Sequence, residues 1–590
     1  MPAEDQAPPR VVDLVVVGSG AAAMAAAATA AVLGARVLVL EKTERIGGAS
    51  ALSGGEIWIP RSRQAGEAGV VDSIESVETY LKALLGDAFD APRTRAFLQA
   101  APRALAWLEQ HTPLRYALMP LSADYHSDLS GASQGGRSLA VLPFDGKVLR
   151  EDFARLRSPL ASALIAGGVS VCTRLDLPRL LAAGRSPPAA WHAARLVALG
   201  WLDRLACHPR GTRLTNGNAL VGRLLATLRE RGAELQTRAC VRALLVESGG
   251  VVGVEYERGG LLQRVRSLRG VVLATGGYSA SEMQRRHHFA HVREGRVHQS
   301  LPPEGNDGDA LALAEPLGVS PPSRPIRPAA WTPVSMVPDG RGGTTPFPHF
   351  SDKGRPGILA VGPDGERFVN ESLSYHEFVT AMLARGFGHA WLLADHRALR
   401  RYGLGAVRPF PWPLGRHLRS GYLLRATDLG ALEAALGCPG GSLRRSVSRF
   451  NEMALRGIDA DHRRGQSVFE RRYGDAANLP NPALGPLAMA PFYAIKVIPG
   501  DIGTFIGLPI DGAARVLDGR ARAVPGLYAA GNAAQSLFGG HYPSAGITLG
   551  PALTFGWLAA RHALGHSDAD RSPPDLEGAL RDANATHPIA

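Results

Sequence analysis

Val11-Val-Asp-Leu-Val-Val-Val17-Gly18-Ser-Gly20-Ala-Ala-Ala23-Met-Ala-Ala-Ala-Ala-Thr-Ala-Ala-Val-Leu33-Gly34-Ala-Arg36-Val-Leu-Val-Leu40-Glu41 reads as a strand, a glycine turn, a buried helix and a second strand. The β-branched run at 11–17 suits a buried strand, and the alanines after it suit a helix that Gly34 ends. Residues 36–40 then repeat the apolar run. Such a βαβ unit predicts an α/β fold with a parallel sheet, in a Rossmann-like domain. Gly18 permits the tight turn and Gly20 lets the backbone approach a pyrophosphate. The small Ala23 allows close helix–strand packing, while the helix N-terminus offers N–H donors and the positive end of its dipole. Glu41 stands about twenty residues on, where a carboxylate accepts from ribose hydroxyls. The turn by itself does not choose between dinucleotides. Residues 14–35 are apolar enough to trip a hydropathy test for a membrane span, but strand, turn and Ala-rich helix account for them.

Outward from this unit, strand patterns recur at residues 240–246, 251–256 and 271–274. Between about residues 282 and 484 proline and aromatic residues become common and β-branched runs thin out. Strand-like runs return at 492–497 and 524–530. We therefore expect a discontinuous Rossmann-like dinucleotide-binding domain, 1–285 and 486–590, with an inserted α+β substrate domain at 286–485. A chain of 590 residues suits that arrangement.

Hydrophobic residues make up 45% and charged residues 20%, an ordinary balance for a globular enzyme. The net charge of +12 comes from scattered arginines rather than a lysine-rich tail or a basic stripe with aromatics. Nucleic-acid binding is therefore not expected, whereas a loose attraction to anionic membrane surfaces is. The four cysteines, Cys172, Cys207, Cys240 and Cys438, lie far apart without metal-ligand spacing, so neither disulfides nor a metal are expected. No basic, apolar leader opens the sequence, which makes the cytoplasm the expected compartment. The polar tail beyond about residue 567 is expected to be partly disordered.

Behind the second strand, Glu41-Lys42-Thr-Glu-Arg-Ile-Gly47-Gly48-Ala49-Ser50-Ala-Leu-Ser53-Gly54-Gly55 carries two glycine pairs, which let backbone approach a diphosphate and a flat ring. Ala274-Thr275-Gly276-Gly277 follows a strand, and Gly526-Leu-Tyr-Ala-Ala-Gly531-Asn532 reads as a strand running into a helix start. Asn306-Asp307-Gly308-Asp309 opens a helix, with Asp309 either an N-cap or a ligand. This set resembles the fumarate reductase and 3-ketosteroid dehydrogenase superfamily of flavoproteins over nearly the whole chain. The resemblance implies FAD, held by Gly18, Gly20, Ala21, Ala22, Glu41, Lys42, Gly47, Gly48, Ala49, Ser50, Ser53, Gly54 and Gly55, then Ala274, Thr275, Gly276 and Asp309, and finally Gly531, Asn532, Gly546, Thr548 and Leu549. Relatives with a histidyl flavin carry the His shortly before a glycine pair. The matching position here is about Gly48, so binding is expected to be non-covalent.

Two segments separate the subfamilies. Glu366-Arg367-Phe-Val-Asn370-Glu371-Ser-Leu-Ser-Tyr375 is similar to the fumarate reductase RFxNE run, in which an Arg five residues past the Asn donates a proton. Tyr375 stands there instead. It suits an apolar pocket and argues against fumarate, though as a base it needs a lowered pKa or a relay. Gly539-Gly-His541-Tyr542-Pro-Ser-Ala-Gly546-Ile-Thr-Leu-Gly550-Pro551 resembles the flavin-and-ketone motif of 3-ketosteroid Δ1-dehydrogenases. That resemblance implies a carbonyl oxygen held by the Tyr542 hydroxyl and the Gly546 N–H, a C2 proton taken by Tyr375, and Tyr125, in Asp124-Tyr125-His126, relaying it. It also implies a bulky steroid-like apolar ketone and an external electron acceptor. Glu371 is expected to be structural, and His126 and His541 bystanders. Tyr542 and Ser544 keep the Tyr-x-Ser spacing expected of a Δ4-(5α) enzyme, so that alternative stands beside Δ1, as does a reductase of unsaturated acids.

Overall fold

The computed structural model describes residues 10–165, 168–184, 186–321, 327–409 and 413–566. The tail beyond 567, expected to be disordered, lies outside them.

Leu14–Val17 and Val37–Glu41 are strands around the helix Ala21–Val32. They sit inside a six-stranded sheet ordered Glu234–Thr237, Val37–Glu41, Leu14–Val17, Val271–Leu273, Ala523–Ala529 and Arg515–Leu517. Its first five strands run parallel, and the last pairs antiparallel at the edge. Both faces are covered, which is why these strands read as unbroken apolar runs rather than alternating ones.

The helix at 21–32 is buried on every side except near its end. A second helix, Leu549–Ala563, lies against it. A Cβ at Gly556 would come within 2.4 Å of the Ala22 carbonyl oxygen, so glycine and alanine together permit this close approach. The run that mimicked a membrane span is thus the core of a parallel α/β layer. Among the described residues no helix is long and apolar enough to cross a membrane.

The strand signals at 240–246 and 251–256 take a different place. Ala239–Glu247 and Gly250–Arg258 form an antiparallel sheet with Leu261–Ser267, outside the parallel one.

The second domain is built on a sheet ordered Thr344–Pro348, Ala329–Pro338, Phe492–Thr504, Ala390–Ala394 and Ile358–Val361. The thirteen-residue strand Phe492–Thr504 is its spine. This corrects the expected return to the first domain at residue 486. Apolar periodicity at 492–497 shows a strand but not its sheet, and the chain rejoins the parallel sheet only at Arg515–Leu517 and Ala523–Ala529.

Three neighbouring parallel strands end just before Gly18, Ala274 and Ala530. Their carboxyl ends open into one crevice, as expected for ligand sites in such sheets.

Candidate active site

The crevice is a cleft of about 990 Å³. It is lined by Gly18, Gly20, Ala21 and Ala22 from the first turn, then by Glu41, Lys42, Gly48, Ala49, Ser50 and Ser53. Ala274, Thr275, Gly276, Asp309, Gly531, Asn532, Thr548 and Leu549 complete the wall from distant parts of the chain. The Ala21 N–H at the start of the first helix donates to Ser50 Oγ at 2.9 Å, which leaves the next first-turn N–H, at Ala22, to the cleft. Gly18 has φ +107°, and a Cβ there would sit 2.3 Å from the Ala274 carbonyl oxygen. Gly18→Ala should therefore purify with little or no flavin, read as the flavin-to-protein absorbance ratio; a full complement would show that the turn can give way.

The residues fit a dinucleotide. Thr275 Oγ1 and Arg157 Nε line the cleft yet are buried without a hydrogen-bond partner among the described residues, the mark of groups that expect a ligand. Glu41 is aimed by its neighbours: Oε1 accepts from the Thr43 N–H and hydroxyl at 2.8 Å each. Lys42 is clamped between Asp307 and Asp309, the latter at 2.7 Å. Asp309 is the first residue of its helix and Gly308 the N-cap. It therefore acts as a carboxylate on the cleft wall, not as a cap.

Gly47, Gly54, Gly55 and Gly546 do not line the cleft. Gly47 donates its N–H to Ser19 Oγ at 2.9 Å, and a Cβ at Gly55 would strike the backbone at Asn216. They shape the loops behind the wall. Arg157, Pro303, Gly305 and Ile502 line it without having been expected. Arg157 sits in a loop with no motif, Pro303 and Gly305 were signalled only by their closeness to Asn306, and Ile502 by nothing local.

A second chamber of about 420 Å³ shares Gly531, Asn532, Thr548 and Ala552 with the cleft and reaches Phe505. The Phe505 ring lies 6.4 Å from that of Tyr542, where the tyrosines gather. Tyr375 and Tyr542 meet edge to face with ring centroids 5.2 Å apart. Tyr125 lies 6.0 Å from the first and stacks on the second at 5.7 Å. Three segments separated by hundreds of residues thus converge.

Each segment is held by specific bonds. Tyr375 opens the helix Tyr375–Ala384, whose N-cap Ser374 accepts from the Glu377 N–H. The Pro543 carbonyl accepts from the Tyr125 N–H at 2.8 Å and the Tyr80 hydroxyl at 2.7 Å, which ties the Tyr542 and Tyr125 segments together. Asp124 accepts from Trp58 Nε1, the Ser133 N–H and Arg137. Gly546 has φ +91°, and a Cβ there would lie 2.4 Å from Ile57 backbone. Its carbonyl accepts from Trp58 and Gly550, while its N–H makes no hydrogen bond within the described residues.

Burial sets the charge state. It pushes Tyr542 up to about 12. It raises Tyr375 well above the ordinary tyrosine value, and the neighbouring hydroxyls of Tyr125 and Tyr542 add to the effect. His126, His376 and His541 surround the cluster, and burial lowers all three, His541 to about 4. They are neutral near pH 7. His376, missed in the sequence although it adjoins Tyr375, accepts the Trp331 N–H on Nδ1 and so carries its proton on Nε2. Two arginines stand close and are already paired: Arg174 with Glu56 at 2.9 Å and Arg327 with Glu377 at 3.3 Å. Phe350 and Phe469, also unforeseen, pack on Tyr375 and Tyr125.

Comparison with known proteins agrees with this geometry. The family described as "FAD binding domain" matches residues 13–549. The chain is 35% identical to 4-oxocyclohex-2-ene-1-carboxylate 5-dehydrogenase of Sinomonas cyclohexanicum, over 93% of each. It is 34% identical to 3-oxosteroid 1-dehydrogenase of Mycobacterium tuberculosis, over 93% of this chain and 98% of the relative. Among solved structures, 3-ketosteroid delta1-dehydrogenase from Sterolibacterium denitrificans, in complex with 1,4-androstadiene-3,17-dione, superposes with a TM-score of 0.86 at 33% identity, covering 95% of this chain and 100% of that one. With a family match along most of its length and relatives above 30% identity from end to end, the chain belongs to the FAD binding domain family, in its 3-ketosteroid Δ1-dehydrogenase branch, and is an FAD-dependent oxidoreductase acting on CH–CH groups.

Proposed function

We propose that the enzyme introduces a C1=C2 double bond into an uncharged 3-ketosteroid. The observation that carries this is the convergence of Tyr375, Tyr542 and Tyr125 beside a free Gly546 N–H. FAD, when bound, supplies the hydride acceptor. The cleft residues described above would hold it, Gly18 and Gly20 leaving room for a pyrophosphate and Glu41 accepting from a ribose hydroxyl. The Tyr542 hydroxyl and the Gly546 N–H donate to the ketone oxygen, and two such donors stabilise the developing enolate. Tyr375 takes the C2 proton and Tyr125 passes it on. Electrons leave through an external acceptor.

Charge supports an uncharged substrate. Both arginines beside the tyrosines are engaged by carboxylates and the histidines are neutral. A carboxylate-bearing ketone, such as the Sinomonas relative's name describes, would meet two cations there, Arg174 and Arg327, that are already paired among the described residues. Against the Δ4-(5α) alternative, Ser544 is fully buried and faces Ser138, at 3.4 Å between hydroxyl oxygens, rather than serving the ketone.

The test is anaerobic bleaching of the flavin band. Androst-4-ene-3,17-dione should bleach it and yield the 1,4-diene. 5α-Androstane-3,17-dione as the sole reductant would move the assignment to the Δ4-(5α) reaction. Bleaching by 4-oxocyclohexanecarboxylate alone would move it to small anionic ketones, and reoxidation of dithionite-reduced enzyme by fumarate would sink the discriminating role given to Tyr375.

A further inference from the structure

The second domain holds a buried polar chain for which the proposed reaction has no use. His349 is fully buried. Its Nδ1 lies 2.7 Å from Asp352 Oδ2, and its Nε2 lies 2.8 Å from Ser335 Oγ. The Ser335 hydroxyl is in turn 2.8 Å from that of Tyr422, which accepts from the Ala406 N–H at 3.1 Å. Asp352 Oδ2 also accepts from the Gly405 N–H at 3.2 Å. With the imidazole proton on Nδ1 every link runs one way: Tyr422 donates to Ser335, Ser335 to His349 and His349 to Asp352. A buried chain of this kind is rigid when complete and costly when broken.

Serine, histidine and aspartate in this order have the bonding of a hydrolytic triad, but burial removes that use. Ser335 and His349 are 1 and 0% exposed, and the serine hydroxyl is engaged on both sides, so no acyl group reaches it. What the chain holds is the segment between its members. Phe350, next to His349, packs edge to face on Tyr375 with ring centroids 5.0 Å apart, although 44% of it stays exposed. A ring so exposed has little packing of its own, and its place depends on the backbone that carries it. Lys353, next to Asp352, is buried and bonds the Glu371 and Leu373 carbonyls in the turn before Tyr375. Gly354 accepts from Ser372 Oγ in the same turn, at 3.3 Å. The bond from His349 to Asp352 closes residues 349–352, and both ends of that closed segment reach Tyr375 or its turn.

We propose that Ser335, His349 and Asp352 are positioning residues for Tyr375, fixing the segment that lays Phe350 on its ring and Lys353 on its turn. The use of this device in turnover rests on the reading of Tyr375 as the base. Its physical effect does not: a covered phenol is kept out of water and aimed. Burial is the chief reason that the Tyr375 hydroxyl sits well above its ordinary value, and the titratable groups facing it, Tyr125 and Tyr542, add to the effect. Loosening the cover should therefore bring the hydroxyl back toward that value.

The test is a tyrosinate titration of the flavin-loaded enzyme. The chain has 12 tyrosines, so the Tyr375 signal is isolated by subtracting the same titration in a matched Tyr375→Phe partner. Ser335→Ala and His349→Gln each break the chain, and Phe350→Ala removes only the cover. In all three the Tyr375 midpoint should fall by at least about one pH unit, toward the ordinary value of about 10. Their kcat/KM should then bend to a plateau near about pH 10 instead of climbing throughout. A merely structural chain would lower the melting temperature and leave the midpoint where it is. The proposal is overturned if folded, flavin-loaded Ser335→Ala or His349→Gln keeps the parent midpoint, or if Phe350→Ala does. It is equally overturned if neither chain variant folds, since the chain would then serve stability. The midpoint is read without turnover, so it still falls in these variants if Tyr375→Phe proves active and the base reading fails. An unmoved midpoint beside a slow Tyr375→Phe enzyme sinks the positioning role alone.

Discussion

Tyr375→Phe should fold and load flavin like the parent but turn over a 3-ketosteroid about 10³-fold more slowly, the cost of removing a positioned base. Flavin loading is spared because Tyr375 does not line the cofactor cleft. The loss should fall on kcat rather than KM, since Phe keeps the ring that packs between Phe350, Tyr125 and Tyr542. The pH dependence gives a second readout. Burial holds the Tyr375 hydroxyl well above its ordinary value, so near pH 7 fewer than about one site in a thousand carries the phenolate. A base of that kind gives a kcat/KM that climbs with pH from 7 to 10 without a plateau, and Tyr375→Phe should flatten the climb. In the proposed mechanism Tyr542→Phe would remove one of two donors to the ketone oxygen, and it should cost about 10²–10³ in rate. A Tyr375→Phe enzyme within tenfold of the parent would mean that another group takes the proton.

The sequence discloses the cofactor cleft more fully than the catalytic pocket, for a physical reason. A dinucleotide is held largely by backbone. Its contacts therefore appear as glycines and small residues at strand ends, which are local and readable, as at Gly18, Gly20, Gly276 and Gly531. Arg157 escapes because a side chain reaching in from a loop leaves no periodic trace. The tyrosines were legible only through resemblance: nothing local in residues 125, 375 and 542 says that they meet. Their aromatic neighbours Phe350 and Phe469 were invisible for the same reason. The misplaced boundary at residue 486 has a third cause. Strand Phe492–Thr504 opens on an apolar run like that of any buried strand, and which sheet it joins depends on pairing with Ala390–Ala394 and Ala329–Pro338, about a hundred residues or more upstream.

Glu371→Ala should destabilise the protein by about 3–5 kcal/mol, the range for breaking a buried ion pair from one side. The carboxylate is fully buried. It accepts from Arg367 at 2.9 and 2.8 Å, from Arg464 at 2.9 Å and from the Ala360 N–H at 3.1 Å. Arg367 also binds Asp459, at 2.9 and 2.7 Å, so two guanidinium groups face two carboxylates and the charges balance. Removing Glu371 leaves Arg464, itself wholly buried, with backbone carbonyls as its remaining close partners. The pH dependence follows with a definite sign. Burial disfavours the carboxylate, but Arg367 and Arg464 outweigh it and hold Glu371 down at about 2, from an ordinary 4.5. A depressed acid stabilises the fold fully above its unfolded value and loses that contribution as pH falls from about 4.5 through about 2; the shift corresponds to about 3 kcal/mol. Chemical denaturation at pH 7 and pH 3 reads both effects: the parent should lose stability on acidification, and Glu371→Ala should lose less because its carboxylate is already gone. The consequence reaches the chemistry. The Glu371 carbonyl accepts from the buried Lys353 Nζ at 2.9 Å, and Leu373 takes a second bond from the same group, which fixes the turn that delivers Tyr375 to its helix. Folded Glu371→Ala should therefore also turn over more slowly at unchanged flavin content, whereas parent-like stability at pH 7 would show that the buried network contributes no more than the apolar packing around it.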